Sequence, residues 1–308
     1  MKIFITRPIP DNGINMLKAK GYEVVVNTAA VDRAATEEEM ITGVKGADAL
    51  LPLLTDKITA AVMDAGLPTL KIVANYAVGF NHVDMEAAKA RNIIVTNTPG
   101  TNEEAVAEYT IAVMLNIARR LSEGDRATRA GKFTTWGMWD MLGESLIGKT
   151  LGIVGMGKIG SRVAEIAEHG FGMRVIPIGP EQKLDEILPD CDFVSLHVPL
   201  LDSTRHLMNE TRLKLMKPSA YLINSSRGPV VDEAALVDAL KAGTIKGAAL
   251  DVYENEPNIH PELLTMENVL LTPHIAGGTR QAREKMAEVA ATNIIECLEG
   301  RTPPNVVQ

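Results

Sequence analysis

The chain has 308 residues, of which 46% are hydrophobic and 23% charged, a composition that excludes a disordered protein. Its formal net charge is −8 and its longest basic run is Arg119-Arg120, so it lacks the basic surface that nucleic-acid binding requires. No apolar run is long enough to cross a bilayer, and Cys191 and Cys297 form neither a disulfide framework nor a metal-binding cluster. We therefore expect a cytoplasmic protein with no membrane, nucleic-acid or metal partner.

Strand-like runs alternate with helical patterns through the first hundred residues. The predicted strands are residues 2–5, 23–26, 49–52, 71–74 and 93–96, and helical patterns at 10–19 and 36–44 lie between them. This alternation is typical of a parallel sheet covered by helices. We predict a small, doubly wound α/β domain.

A long apolar-periodic segment follows, and it predicts one helix over residues 102–121. Thr101 or Asn102 is a suitable N-cap, and Glu103 and Glu104 suit the positive end of a helix. The length of this helix suits a connection between two domains. A loop with Trp136 and Trp139 comes next.

A second α/β run completes the chain. Its predicted strands are residues 150–154, 174–178, 193–197, 220–224, 248–252 and 269–272, and a final helix is predicted over 279–298. The final helix is long enough to return to the first domain. We therefore assign residues 1–100 with 283–308 to one domain and residues 101–282 to the other.

The motif Gly155-Met-Gly157-Lys-Ile-Gly160 lies between a predicted strand and a predicted helix. This context is the one a dinucleotide fingerprint requires, because the glycines permit a tight turn and a close approach of the pyrophosphate to the helix N-terminus. The alternative is an ordinary tight turn. The motif favours a Rossmann-type cofactor domain for the second run.

A competing motif lies just upstream, where residues 143–150 match the phosphate-binding pattern G-x-x-x-x-G-K-[ST]. That loop must follow a strand and begin a helix. Here Lys149 and Thr150 lead into a strand instead, so we interpret the match as coincidental, with an NTPase as the rival hypothesis.

The second strand of a dinucleotide domain commonly ends in an acidic residue that binds the adenosine ribose. Here that strand ends in Gly179-Pro180; Glu181 is the nearest acid and Lys183 the nearest base. The choice between NADH and NADPH therefore stays open.

Three charged residues, Arg227, Glu256 and His274, each follow a different predicted strand. The carboxyl ends of parallel strands line the ligand crevice of an open α/β sheet, so these residues are expected to converge. Arginine can hold a substrate carboxylate, and histidine can donate a proton to a carbonyl oxygen. A neighbouring carboxylate favours the protonated histidine. The alternative is a surface salt bridge with a capping histidine.

The chain resembles the D-2-hydroxyacid dehydrogenase family in six segments that occur in the family's order over nearly its whole length. These are NYAVGFNHVD (75–84), TNTPG (96–100), GMGKIG (155–160), NSSRG (224–228), LDVYENEP (250–257) and TPHIAG (272–277). Within the family it looks most like the glyoxylate/hydroxypyruvate reductases. The resemblance implies a Rossmann-type cofactor domain, a smaller flavodoxin-like substrate domain and a homodimer.

The resemblance also implies roles for individual residues. Arg227 would hold the 2-keto acid, His274 would be the general acid–base and Glu256 its partner. The backbone amides of Val78 and Gly79 would bind the substrate carboxylate, with the reaction in the cleft between the domains. The residues expected to bind the cofactor are Gly155, Gly157, Lys158, Ile159, Gly160, Val198, Pro199, Thr204 and Asp251.

One segment departs from the family pattern. Only five residues separate Ile178 from Leu184, where the family has a further helix and strand. If this unit is absent, the adenosine half of the cofactor loses a wall and its ribose anchor. A dinucleotide-sensing binding protein with little or no turnover is therefore the alternative function.

Overall fold

The protein, described here from a computed structural model, divides into two compact units. Unit 1 comprises Met1–Asn102 and Gly278–Gln308, and unit 2 comprises Glu103–Gly277. The structure describes residues 1–179 and 183–307.

Unit 1 is built on a five-stranded parallel sheet in the order β2-β1-β3-β4-β5. This is the order of a flavodoxin-like fold. Its elements before residue 103 are β1 (Lys2–Ile5), α1 (Asp11–Ala19), β2 (Glu23–Val26), α2 (Glu37–Val44), β3 (Ala49–Leu51), α3 (Ala60–Gly66), β4 (Ile72–Ala74), α4 (Met85–Ala90) and β5 (Ile94–Thr96).

Unit 2 contains a six-stranded parallel sheet in the order β11-β10-β9-β8-β6-β7. Its elements are α5 (Glu103–Ala118), α6 (Leu121–Arg129), β6 (Thr150–Val154), α7 (Lys158–Phe171), β7 (Arg174–Ile178), α8 (Leu184–Ile187), β8 (Phe193–Leu196), α9 (Glu210–Leu215), β9 (Tyr221–Asn224), α10 (Glu233–Lys241), β10 (Gly247–Leu250) and β11 (Val269–Leu271). Each strand predicted from the sequence is present in the described residues, with its ends shifted by at most two positions.

The last helix, α11 (Arg280–Leu298), belongs to unit 1, where it packs beside α1. A Cβ atom on Gly13 of α1 would lie 2.7 Å from the carbonyl oxygen of Ala287, so the two helix backbones touch at a glycine. Alternation along the strands separates two cores: Ile3 and Ile5 pack towards α1 and α11, and Phe4 packs against α2.

The prediction of one helix over 102–121 is wrong, because α5 ends at Ala118 and a separate helix, α6, follows. In a continuing helix, the carbonyl of Ala118 would accept from the N–H of Ser122. Instead it accepts from Glu144 N at 2.8 Å, while Ser122 N donates to the Asn116 side chain at 3.0 Å. Arg120 adopts a left-handed conformation between the two helices, at φ 56°.

Strand β7 forms one edge of the unit 2 sheet, and the described residues place no further strand beyond it. The classical dinucleotide fold has one more strand at this edge. Arg174 N donates to Lys149 O, and Ile178 O accepts from Gly155 N, so these alternate residues face β6. Pro177, one position out of phase, therefore lies on the open side, where it offers no N–H to another chain.

Candidate active site

The carboxyl edge of the unit 2 sheet carries the residues expected to catalyse. Arg227 follows β9, Asp251 and Glu256 follow β10, and His274 follows β11. These strands are neighbours, and a Cβ atom on Gly228 would lie 1.8 Å from Tyr253 O. The absence of a side chain at Gly228 therefore lets the loop that carries Arg227 lie directly against the loop that leads to Glu256.

His274 and Glu256 form a pair. His274 Nδ1 lies 2.8 Å from Glu256 Oε2, and the other oxygen of Glu256 accepts from Tyr253 N at 2.9 Å. A carboxylate can only accept, so Nδ1 is the protonated nitrogen of the neutral ring. Within residues 1–179 and 183–307, Nε2 of His274 has no hydrogen-bond partner. The pair therefore presents Nε2 as the atom that can exchange a proton with a bound molecule.

The electrostatics of the pair follow from its surroundings. Burial raises the pKa of Glu256, but the bond and charge of His274, the Tyr253 N–H and the charge of Arg227 outweigh this effect, and the net pKa is lowered. Burial lowers the pKa of Arg227, and the charge of Glu256 opposes that shift. An arginine keeps its proton throughout the ordinary pH range. The site therefore holds a fixed cation beside a carboxylate–histidine pair.

The Arg227 loop is shaped by Asn224 at the end of β9. Its side chain accepts from Ser226 N at 3.1 Å and donates to Arg227 O at 3.0 Å. One guanidinium nitrogen of Arg227 donates to Ser226 O at 2.7 Å. The remaining guanidinium N–H groups have no partner among the residues that the structure describes, so they are available to an anion.

Asp251 lies beneath the turn that carries His274, and its side chain is buried. Its carboxylate accepts from Ile275 N at 2.8 Å, from Ala276 N at 2.7 Å and from Thr272 Oγ1 at 2.6 Å. The backbone N–H of His274 donates to Asp251 O at 2.9 Å. The structure thus gives Asp251 three internal donors, and its predicted contact with a nicotinamide carboxamide stays a prediction.

The three glycines between β6 and α7 are needed for different reasons. Gly155 has φ 99°, and a Cβ atom there would lie 2.7 Å from His197 O. A Cβ on Gly160 would lie 2.1 Å from Gly155 O, whereas one on Gly157 would enter open space. Gly157 is also the N-cap of α7, whose first N–H groups, beginning at Lys158 and Ile159, lack partners within the helix. The turn thus leaves an open cradle at a helix N-terminus, as a pyrophosphate requires.

The segment after β8 packs against this turn. The Val198 side chain would lie 2.9 Å from a Cβ on Gly155. Thr204 Oγ1 donates to Pro199 O at 2.7 Å and accepts from Leu201 N at 2.8 Å, which closes the following loop. His197 lies behind the turn, with Nε2 2.8 Å from Ser195 Oγ, and burial lowers the pKa of His197 to about 4. His197 is therefore neutral at physiological pH, and its backbone carbonyl lies against Gly155 of the turn.

Val78 and Gly79 lie in unit 1, in the loop that follows β4. The buried Asn75 side chain donates to Gly79 O at 2.8 Å, and the Asn97 side chain donates to Val78 O at 2.8 Å. No acceptor for the N–H of Val78 or Gly79 is found in the described part of the chain. The loop therefore turns its carbonyls towards the two asparagines and leaves two adjacent amide donors.

Sequence reasoning missed Asn75 and Asn97 as organisers of this loop, and it missed Tyr109 and Thr272 beneath His274. The signal for the asparagines was a polar residue directly at the end of an apolar strand. Tyr109 gave no signal, since an aromatic residue on an apolar helix face is typical of core packing.

The remaining predicted features are placed as follows. Thr150 begins β6, and Lys149 forms an ion pair with Glu144, so the G-x-x-x-x-G-K-[ST] match has no helix after it and is not a phosphate-binding loop. Pro180 and Glu181 lie outside the described residues, and Lys183 pairs with Glu186 at 2.8 Å. Among the described residues, no His, Cys, Asp or Glu cluster could hold a metal ion, and no helix has the length and hydropathy of a membrane span.

Comparison with known proteins adds independent evidence. Residues 111–276 match the family described as D-isomer specific 2-hydroxyacid dehydrogenase, NAD binding domain. A glyoxylate reductase of Thermofilum pendens is 46% identical over 322 aligned positions, which cover 99% of this chain and 94% of the relative. That alignment is longer than the 308-residue chain, so the relative has residues that this chain lacks.

Two solved structures are similar over the whole chain. The TT0316 protein of Thermus thermophilus has a TM-score of 0.94 and 43% identity, with full coverage of both chains. The NADPH-dependent glyoxylate/hydroxypyruvate reductase of Sinorhizobium meliloti, solved in complex with NADP and malonate, has a TM-score of 0.84 and 32% identity. That alignment covers 99% of this chain and 96% of the other.

Proposed function

Because the chain belongs to the D-isomer specific 2-hydroxyacid dehydrogenase family, we propose that it reduces glyoxylate or hydroxypyruvate to the corresponding 2-hydroxy acid. As a member of this family it is a nicotinamide-dependent oxidoreductase. Its substrate class is supported by the relatives named above, one a glyoxylate reductase and one a glyoxylate/hydroxypyruvate reductase. The observation that carries the proposal is the His274–Glu256 pair beside Arg227.

The residues at the β6–α7 turn suit a dinucleotide. The open space at Gly157 and the free amides of the first turn of α7 would hold the pyrophosphate, with Val198, Pro199 and Thr204 along the neighbouring loop. The bound dihydronicotinamide supplies the hydride. The family is described by its NAD binding domain, the Sinorhizobium meliloti relative was solved with NADP, and residues 180–182 lie outside the described residues, so NADH and NADPH are both candidates.

Arg227 and His274 would have different roles towards the substrate, the first in binding and the second in proton transfer. Arg227 would bind the keto-acid carboxylate and polarise its carbonyl through the unused guanidinium N–H groups. His274, protonated on both nitrogens, would donate the Nε2 proton to the carbonyl oxygen as that oxygen becomes an alkoxide. Glu256 would hold the ring through Nδ1 and stabilise the charged form before the proton leaves. In the oxidative direction, neutral His274 would accept the hydroxyl proton.

Val78 and Gly79 would bind the substrate carboxylate through their two unpaired backbone N–H groups. This role supports the assignment of residues 1–100 with 283–308 as the substrate domain and of residues 101–282 as the dinucleotide-binding domain. Asn75 and Asn97 would keep both amides turned outwards by bonding the adjacent carbonyls.

The protein would act as a homodimer in the cytoplasm. An unusually apolar exposed segment in unit 2 supports the dimer: Phe133, Trp136 and Trp139 are 72%, 76% and 78% exposed. Large apolar side chains exposed in one stretch are typical of a surface that another chain covers. The cytoplasmic location rests on the two unpaired cysteines.

The decisive experiment follows the absorbance of NADH and NADPH in parallel while the purified protein is mixed with glyoxylate or hydroxypyruvate. We expect oxidation of at least one cofactor, strongly reduced by Arg227→Ala and by His274→Gln. The His274→Gln protein should still bind the cofactor, because the cradle at Gly157 is separate from His274. Tight cofactor binding without turnover of any keto acid would instead favour the dinucleotide-sensing function. That alternative is supported by the β7 edge, beyond which the described residues place no further strand.

A further inference from the structure

A hydrogen-bond chain runs from helix α5 to the turn that carries His274. Tyr109 Oη lies 2.5 Å from Thr272 Oγ1, and Thr272 Oγ1 lies 2.6 Å from Asp251 Oδ1. Tyr109 and Thr272 are half-buried and Asp251 is buried, so water screens this chain of contacts only in part. All three residues belong to unit 2.

The direction of the chain follows from proton counting. The Asp251 carboxylate can only accept, and Thr272 has a single hydroxyl proton, which it donates to Asp251. Thr272 Oγ1 must therefore accept from Tyr109, whose phenol is the terminal donor. The backbone of Thr272 is held as well, since Tyr253 Oη donates to Thr272 O at 2.8 Å. Leu250 O is a second, more distant acceptor, 3.4 Å from Thr272 Oγ1 and 3.3 Å from Tyr253 Oη, so the shorter bonds define the chain.

Asp251 connects this hydrogen-bond chain to the turn that carries His274. Its two oxygens accept from Ile275 N and Ala276 N, the residues that directly follow His274. His274 itself has φ 54°, a left-handed conformation that is unfavourable for a non-glycine residue and persists only where the surroundings impose it. The bonds to Asp251 are the contacts that impose it.

We propose that Tyr109 is a positioning residue for His274, acting through Thr272 and Asp251. The proposal rests on the proposed function for the role of His274. Helix α5 supplies the rigid support: its face is buried around Ala107, Ile111 and Met114, and Glu104 at its start pairs with Arg162 of α7. Tyr109 therefore fixes the orientation of the His274 turn relative to helix α5, whose buried face lies in the core of unit 2.

Hydrogen exchange tests the positioning without any substrate. We expect the amides of Ile275 and Ala276 to exchange faster in Tyr109→Phe and in Thr272→Val, by about tenfold for the loss of one hydrogen bond. Thr272→Ser keeps the hydroxyl and should exchange as the unaltered protein does. Tyr221→Phe is the matched control, because it removes a buried phenol oxygen from the same unit at the amino end of β9.

Kinetics test the consequence for catalysis. Tyr109→Phe should lower kcat by about tenfold with the Kd for NADH and the KM for the keto acid little changed, since only the reacting geometry loosens. The double variant Tyr109→Phe/Thr272→Val should match Thr272→Val alone, because both act through one path. Additive effects would overturn the proposal.

Unchanged exchange at both amides in Tyr109→Phe would also overturn it, whatever the activity. If exchange rises as expected but the unaltered protein reduces no keto acid, the positioning of the turn stands and the proposed function fails. Hydrogen exchange therefore tests the positioning role of Tyr109, and keto-acid reduction tests the proposed function separately.

Discussion

At the scale of single residues, the site is a set of backbone turns as much as a set of side chains. Arg227, Glu256 and His274 could be named from the sequence because each follows an apolar strand at the same edge of a parallel sheet. Their mutual geometry depends on other residues. Asn224 shapes the arginine loop and Asp251 shapes the histidine turn. Neither role has a signature in residue spacing.

Glu256→Gln should separate the electrostatic role of this carboxylate from its role in holding the ring. Glutamine can still bond Nδ1 but carries no charge, so the protonated form of His274 loses support. We expect kcat/KM for keto-acid reduction to fall by about tenfold. Steady-state rates between pH 5 and pH 9 measure it.

Glu262→Gln is the control for that experiment, because Glu262 pairs with Lys241 on the surface and does not contact His274. An equal kcat/KM in Glu256→Gln and in the unaltered protein would exclude the electrostatic role. The neutral pair would then orient the ring and nothing more.

At the scale of elements, the glycines of the β6–α7 turn face different surroundings, so alanine substitutions at them should have different effects. Gly160→Ala should destabilise the protein by about 1–3 kcal/mol, since its Cβ would meet the backbone at Gly155. Gly157→Ala should leave stability nearly unchanged but raise the Kd for NADH, because its Cβ enters the space proposed for the pyrophosphate. Urea unfolding and NADH fluorescence give the two quantities.

Gly170→Ala is the internal control, because Gly170 lies in the same helix with open space around it. Alanine there should stabilise the protein by about 0.5–1 kcal/mol through higher helix propensity, with no effect on NADH binding. Unimpaired NADH binding by Gly157→Ala would show that the pyrophosphate does not bind at this turn.

The break between α5 and α6 shows how tertiary contacts override a local pattern. The apolar spacing continues to Leu121, and nothing in Arg119-Arg120 predicts a stop. The stop comes from Glu144, which lies far along the chain and takes the Ala118 carbonyl. A hydrogen bond between distant residues cannot be deduced from the periodicity of one segment.

At the scale of the whole molecule, the exposed Phe133, Trp136 and Trp139 predict an oligomer. Light scattering should give twice the chain mass of 33.2 kDa, and replacing all three by serine should give the monomer mass. The variant should keep the far-ultraviolet circular dichroism of the parent, because these side chains are exposed within the chain itself. Val31→Ser, at an exposed apolar residue of unit 1, is the control. A monomer mass for the unaltered protein would refute the dimer.

The sequence by itself determined the fold class and the strands, because apolar periodicity and glycine motifs are local properties of the chain. The six segments that resemble the family indicated the family, and the roles of Arg227, Glu256 and His274 stay predictions. Tertiary structure alone decided what depends on contacts between distant residues. It decided the end of α5 at Ala118, whose carbonyl accepts from Glu144 N, the turn of His274 over Asp251, and the link from Thr272 to Tyr109, which lies 163 positions away. The physical reason is that a hydrogen bond needs both partners in place, and the fold brings the second partner to the first.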